Sequence, residues 1–142
     1  MKQILSIFLL ASLLFACQSS KKLAKNNIIQ DSHWKVYDLK IKNDQKEQVG
    51  KALHEVIAYQ VFDQAIIQIQ DSIFYIQSQQ DKIDAKIITR QADFLLLYDP
   101  KEQKEIKFPY ELDVKNKKCV FHFPGFDGQG EILLYSEQIP MP

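Results

Sequence analysis

Residues 65–77, AIIQIQDSIFYIQ, decide the fold, because two apolar-rich runs of similar length flank a short polar step. With Asp71 and Ser72 as a two-residue turn, the runs form an antiparallel hairpin with a defined register. The residues that then face each other are Ile69 with Phe74 and Ile67 with Ile76, while Gln68 and Gln70 point the other way with Ile73 and Tyr75. One face of this hairpin is therefore predicted to lie in a core and the other to be mixed.

Short runs of the same kind continue to the end of the chain. The predicted strands are 82–89, 94–98, 105–112, 119–123 and 131–135, and they are separated by polar or Gly/Pro turns at 91–93, 99–102, 113–118 and 125–130. No helical pattern lies between them, so parallel crossovers are excluded. The sequence predicts an antiparallel meander of about seven or eight strands.

The region before the hairpin contains one more strand and one helix. Residues 34–41 are predicted to form a strand with Trp34, Val36 and Asp38 on one face, and Tyr37, Leu39 and Ile41 depart from simple alternation only if a bulge or full burial intervenes. Residues 44–47, DQKE, match a helix capping box. Apolar residues then recur at helical spacing, at Val49, Ala52, Leu53, Val56 and Ile57. We expect one short helix near residues 45–57.

The order of these elements suggests a fold class. A meander of this length usually closes into a barrel, which removes the exposed strand edges. The layout resembles a small lipocalin-like barrel in three respects. Trp34 lies near the start of the first strand, hairpins follow one another, and the last strand contains Ile132-Leu133-Leu134-Tyr135. The fold is therefore predicted to be mainly β. The early helix leaves an α+β alternative, an antiparallel sheet curled round one helix, which is similar to cystatin-like folds.

The first seventeen residues have the pattern of a cleavable export signal. Lys2 precedes an apolar run from Ile4 to Phe15, which is too short to cross a bilayer as a helix. Leu14-Phe15-Ala16-Cys17 resembles the lipobox of bacterial lipoproteins. The resemblance implies that residues 1–16 are removed and that Cys17 becomes the first residue. It also implies that Cys17 carries a thioether-linked diacylglycerol and an N-linked acyl chain such as palmitate. The alternative is an ordinary secretory signal with a chance cysteine.

The same resemblance implies a location. In lipoproteins of this type the residue after the cysteine influences sorting, and Gln18 is not the Asp that commonly retains them at the inner membrane. We therefore expect a lipid-anchored protein of the bacterial cell envelope, on the periplasmic side of the outer membrane. Residues 17–32 are interpreted as the lipidated cysteine and a flexible tether, and residues 33–142 as a single β-rich domain.

Charge and cysteine content narrow the function classes. The chain has 18 basic and 18 acidic residues, and loss of Lys2 leaves a mature net charge of −1, which does not favour nucleic acid as a partner. If Cys17 is acylated, Cys119 is the one remaining thiol and no internal disulfide forms. Cys119 and His122 are three apart in a predicted strand and point to opposite faces. We therefore interpret Cys119 as a structural thiol.

No established catalytic or metal motif is present in the sequence. His33, His54 and His122 lack ligand spacing, and the acidic pairs Asp81/Asp84 and Glu102/Glu105 lie in charged turn regions. The glycine cluster at 125–130 joins two strands and has no phosphate-loop lysine. We expect no enzyme activity, no metal and no cofactor.

Two functional hypotheses follow. In the first, the barrel binds a small apolar or amphipathic ligand in a pocket lined by Ile67, Ile69, Phe74, Ile76, Leu96, Phe121 and Phe123. In the second, the domain binds a periplasmic protein, as an assembly accessory, an inhibitor or an immunity protein does. Phe126, on the glycine-flanked loop, is either tucked under the loop or offered to such a partner. An open interior favours the first hypothesis, and an exposed Phe126 favours the second.

Overall fold

The structure is a computed structural model, and it describes residues 27–42, 48–126, 128 and 130–142. The predicted signal peptide, Cys17, the capping box at 44–47 and the loop residues Asp127 and Gln129 lie outside these ranges, as does most of the predicted tether.

The described elements are eight strands and one helix. In chain order they are β1 (Ser32–Lys42), α1 (Gln48–Phe62), β2 (Ile66–Gln70), β3 (Ile73–Gln77), β4 (Lys82–Arg90), β5 (Phe94–Asp99), β6 (Lys104–Asp113), β7 (Lys118–Pro124) and β8 (Glu131–Ile139). Every neighbouring pair is antiparallel, and β8 returns to pair with β1 along nearly its whole length. The protein is thus a closed meander barrel, as predicted. The cystatin-like alternative is wrong because the sheet has no free edge.

The hairpin that decides the fold has the predicted register. Ile69 lies opposite Phe74, and Ile67 lies opposite Ile76. Asp71 takes the left-handed backbone conformation, with φ of 53°, which a two-residue hairpin turn requires at its first position. The side chains of all four paired residues point into the barrel and are buried.

A bulge in β1 explains its irregular pattern. Val36 lies opposite Ser136 and Asp38 lies opposite Tyr135, so Tyr37 is an additional residue in β1. The bulge changes the alternation, and Leu39 therefore points into the core together with Val36. Tyr37 is left on the outside. Of the two alternatives that the sequence left open for this strand, a bulge or full burial, the structure has the bulge.

Aromatic rings fill the interior. Phe121 contacts Trp34 edge-on, with ring centroids 6.1 Å apart, and lies beside Phe108 and Tyr110. Phe74 packs on Phe108 at 4.8 Å. Such edge-to-face and tilted pairs are favourable beyond the area that they bury. An eight-stranded barrel is just wide enough for its own side chains to fill it.

The two ends of the barrel are closed differently. At one end, which we call the helix-capped end, lie α1 and the loops 78–81, 100–103 and 125–130. At the other, which we call the N-terminal end, lie residues 27–31 and the turns 71–72, 91–93 and 114–117. The helix ends where Gln64 adopts a left-handed conformation (φ of 57°), and the next backbone N–H, that of Ala65, is donated to the carbonyl of Phe62.

Residues 27–31 close the N-terminal end. Ile29 is buried, and its backbone N–H donates to the phenol oxygen of Tyr110 at 3.0 Å. The guanidinium of Arg90 binds the carboxylate of Asp31 at 2.6 Å and the carbonyl of Asp71 at 2.6 Å. The folded domain therefore includes the last part of the stretch that the sequence suggested to be tether.

Candidate functional site

The interior positions predicted to line a ligand pocket form a filled core. Ile67, Ile69 and Phe121 have no accessible surface, and Phe74 and Ile76 have 2% or less. A cavity large enough for water would leave accessible surface on the side chains around it. These five residues therefore meet one another and their neighbours without ligand-sized space between them.

Two of the predicted pocket residues lie elsewhere. Leu96 points to the outside of the barrel, because Leu95 and Leu97 on either side of it are the buried residues of β5. Phe123 points inward, but it lies at the helix-capped end, where its ring packs on Phe62 with centroids 4.9 Å apart. The placement of Leu96 in an interior pocket was wrong, since the continuous apolar run Phe94–Leu97 does not reveal which residues face inward.

Clefts on the described surface are shallow and lie outside the core. Their volumes are about 200 to 370 Å³, near or below the lower end of the range for small-molecule sites. They lie on the outer faces of the strands, over the loop 78–81, at the N-terminal end, or between β1 and α1. None of these clefts is lined by Ile67, Ile69, Phe74, Ile76 or Phe121.

The helix presents its apolar stripe to solvent. Its docking face consists of Ala58 and Phe62, which are fully buried, with Val61 partly buried beside them. At 100° per residue, Val56 lies on the opposite side of the helix from Ala58. Leu53 and Val56 are 59% and 54% exposed, and Ile57 is also exposed. The spacing that predicted a helix thus describes a face that the barrel does not cover.

Phe126 packs on the helix residue that docks on the barrel, and its side chain is still partly exposed to solvent. Its ring stacks on Phe62, with centroids 6.1 Å apart and planes within 9°, and meets the ring of His54 edge-on at 6.2 Å. Even so, 43% of Phe126 is exposed. The loop is held in shape by a backbone hydrogen bond from Gly125 to Gly130 (3.1 Å) and another from Gly128 to Gly125 (2.9 Å). Phe126 is therefore positioned by the helix and also accessible.

One rim residue adds to this surface. Ile83 faces Ile76 across β3 and β4, so it points towards the barrel axis, yet it is exposed because it lies at the mouth. We call the side chains Leu53, Val56, Ile57, Ile83 and Phe126 the helix-end apolar set. All five lie at the helix-capped end.

His122 and two carboxylates form a cluster of titratable groups on the outside of the barrel. His122, on the outer face of β7, lies 3.0 Å from Glu111 through Nε2 and 3.4 Å from Glu131 through Nδ1. Both ring nitrogens are thus occupied by carboxylates of neighbouring strands, and the three residues form a cross-strand contact. Among the described residues, no group of three or more His, Cys, Asp or Glu side chains is arranged to hold a metal ion.

The free thiol of Cys119 faces the core. Burial, and to a lesser extent the nearby charge of Glu111, raises the pKa of Cys119 far above its ordinary value, so the thiol stays protonated. Because the thiolate is the nucleophile, this cysteine is chemically inert in the fold. His122 points outward, so Cys119 and His122 lie on opposite faces, as predicted.

Comparison with known proteins gives no assignment: no family model, no curated protein and no solved structure matches the chain. Within the described part of the chain, no helix is long and apolar enough to cross a membrane.

Proposed function

We propose that this chain is a non-enzymatic envelope lipoprotein, held at the periplasmic face of the outer membrane through acylated Cys17, whose barrel binds a partner protein through the helix-capped end. The single observation that carries the proposal is the outward apolar stripe of α1. Leu53, Val56 and Ile57 are exposed on a helix whose opposite face is already docked.

Burial of this stripe would be favourable. Full burial of a Val, Leu or Ile side chain is worth about 1.5–3 kcal/mol each. Leu53, Val56 and Ile57 stand at positions i, i+3 and i+4, the spacing by which an amphipathic helix occupies an apolar groove of a partner. The partner is therefore a protein with an apolar groove, and Phe126 lies beside the helix to contact its rim.

Two features favour a protein over a lipid surface as the occupant of the stripe. Helices that lie in a membrane interface carry Lys and Arg on their polar face. Between Gln48 and Phe62 the only basic side chain besides His54 is Lys51, and Glu55 offsets it. Moreover, the chain enters the barrel at the N-terminal end, which places the helix-capped end away from an anchor at Cys17.

The filled core argues against a small ligand inside the barrel. An apolar ligand would have to displace side chains such as Phe121, whose ring contacts those of Trp34, Phe108 and Tyr110, or Phe74, whose ring packs on Phe108. Loss of packing around one buried Phe costs about 3–5 kcal/mol. Binding at the outer surface of the barrel does not carry this cost, because no core side chain has to be displaced.

Native mass spectrometry of the protein, purified from gently solubilised envelopes of its host, tests the proposal. A second polypeptide is expected, and it should be lost when Val56→Glu is introduced but kept in Ile73→Glu, an equally exposed position at the opposite end. A stoichiometric small-molecule adduct without a second polypeptide would contradict it.

A further inference from the structure

The path of the chain gives the barrel a membrane-facing end. Ile29 is buried, and its backbone is tied to Tyr110, so the domain fixes the chain from that point. Nine residues separate Cys17 from Asn27, so the two are ten residue steps apart. At about 3.3–3.6 Å per residue, such a span reaches no more than roughly 35 Å. An anchor at Cys17 therefore keeps the N-terminal end close to the bilayer.

The β6–β7 turn lies beside the point where the chain enters. Ile28 and Gln30 line the same cleft, of about 200 Å³, as Val114 and Lys117. The backbone N–H of Gln138 donates to the carbonyl of Lys117 at 2.9 Å, which ties the turn to the end of β8. The turn is thus a fixed part of the N-terminal end.

This turn combines an apolar tip with positive charge. Val114 is 54% exposed, and Lys115, Lys117 and Lys118 are all exposed. Asp113 is the only acidic residue of the turn, and its carboxylate is engaged by the backbone N–H of Asn116 at 3.1 Å and by the Asn116 side-chain amide at 2.7 Å. Three lysines and one carboxylate give the turn a net positive charge, and Glu137, opposite Lys118 on β8, offsets one of these lysines, which leaves Lys115 and Lys117 as the charges at the tip.

Two other described loops lack this combination. At the helix-capped end, the β5–β6 loop alternates Lys101, Glu102, Lys104 and Glu105, and Glu102 approaches Lys104 at 3.7 Å. At the N-terminal end, the β2–β3 turn lies diametrically across the barrel from β6–β7 and carries the acidic Asp71. Positive charge at this end is therefore concentrated on the side where the chain enters.

We infer that the β6–β7 turn rests on the anionic phospholipid surface of the membrane that holds the anchor, with Lys115 and Lys117 on the headgroup phosphates and Val114 at the interface. The inference rests on the anchoring part of the proposed function, not on the partner protein. Each lysine near an anionic bilayer is attracted electrostatically to the lipid headgroups, and salt weakens this attraction by screening the charges.

Lysine acetylation footprinting tests the inference without depending on native acylation. The chain from Cys17 to Pro142 is coupled through the Cys17 thiol to a maleimide phospholipid in vesicles, because Cys119 is buried and protonated. Acetylation rates are then read by mass spectrometry on phosphatidylglycerol-containing vesicles and on purely zwitterionic vesicles. Lys101 and Lys104, at the opposite end, are internal references.

We expect Lys115 and Lys117 to be acetylated about fivefold more slowly on anionic vesicles, with the protection lost in high salt or on zwitterionic vesicles. Lys115→Glu should reduce protection of Lys117, and Lys101→Glu should leave it unchanged. Equal rates on the two vesicle types, or equal protection of Lys101 and Lys104, would overturn the inference. Neither result depends on whether the host acylates Cys17. That question is answered separately by the intact mass of the protein purified from its host.

Discussion

The phenol of Tyr110 joins the start of the folded domain to its sixth strand: it accepts a hydrogen bond from the backbone N–H of Ile29, 81 residues away, and donates one to the carbonyl of Gln91. Burial, the largest influence, raises the pKa of Tyr110, so the phenol remains protonated. A single hydroxyl thus ties the entering chain and the turn at 91–93 to β6.

Tyr110→Phe should therefore destabilise the domain by about 1–3 kcal/mol, because it leaves the Ile29 N–H and the Gln91 carbonyl without their partner. Urea unfolding measures the loss, and hydrogen exchange at Ile29 should accelerate in the same variant. Tyr98→Phe, on the outer face of β5, is the control and should change stability by less than about 0.5 kcal/mol. Equal effects at both positions would show that the buried hydroxyl has no special role.

The alternation of inward and outward residues in β5 predicts different effects of alanine substitution at two neighbouring leucines. Leu97→Ala should cost about 2–5 kcal/mol, because Leu97 is buried in the barrel, whereas Leu96→Ala should cost well under half as much. Thermal or urea unfolding of both variants gives the comparison. A larger loss at Leu96 would place the wrong face of β5 in the core.

The Arg90–Asp31 ion pair should make a pH-dependent contribution to the free energy of unfolding. The hydrogen bond from Arg90, followed by one from the Asp71 backbone, lowers the pKa of Asp31 below its usual 3.8. A carboxyl with a lowered folded pKa adds stability above its unfolded pKa and loses it as the pH falls through its folded pKa. Asp31 is 40% exposed, so solvent screening limits the contribution to about 1 kcal/mol or less.

Asp31→Asn should accordingly be less stable than the parent at neutral pH, and the gap should close below pH 3.8 as Asp31 itself becomes protonated. Urea unfolding across this range is the measurement, with Asp84→Asn, exposed on β4, as the control. A gap that stays constant with pH would mean that the ion pair does not stabilise the fold.

Much of this fold was predictable because local patterns and tertiary contacts agree. The facing pairs around the Asp71-Ser72 turn follow from the two-residue turn and the alternation of β2, which are local features. The bulge at Tyr37 was one of two alternatives that the pattern of β1 left open. Barrel closure, which joins β1 to the distant β8, was predicted from the cost of free edges.

Other features depend on contacts that a single sequence does not display. The helix pattern at Leu53 and Val56 gave the helix but not its orientation, since the small Ala58 and the terminal Phe62 are the residues that dock. Ile29 lies in a polar stretch, and its burial depends on a partner 81 residues away. The pair Ile28-Ile29 was the one signal that could have placed this segment in the domain.

Acylation has its own test. Cys17→Ser should leave an unlipidated precursor or a soluble product, because no thioether can form without the thiol. Intact mass and detergent-phase partitioning measure this, with Ser19→Ala as a control that should retain both the lipid mass and the partitioning. Unchanged partitioning and mobility in Cys17→Ser would rule out the anchor.

The most direct test of the proposed function is site-specific photocrosslinking in the host envelope. A photoreactive residue is placed at Val56, in the helix-end apolar set, or at Ile73, which is 56% exposed at the N-terminal end. We predict one defined protein crosslinked from Val56 and not from Ile73, lost when Leu53→Glu is added and kept when Ile88→Glu is added. The same crosslinks from both positions, or no protein crosslinked from Val56, would contradict the account.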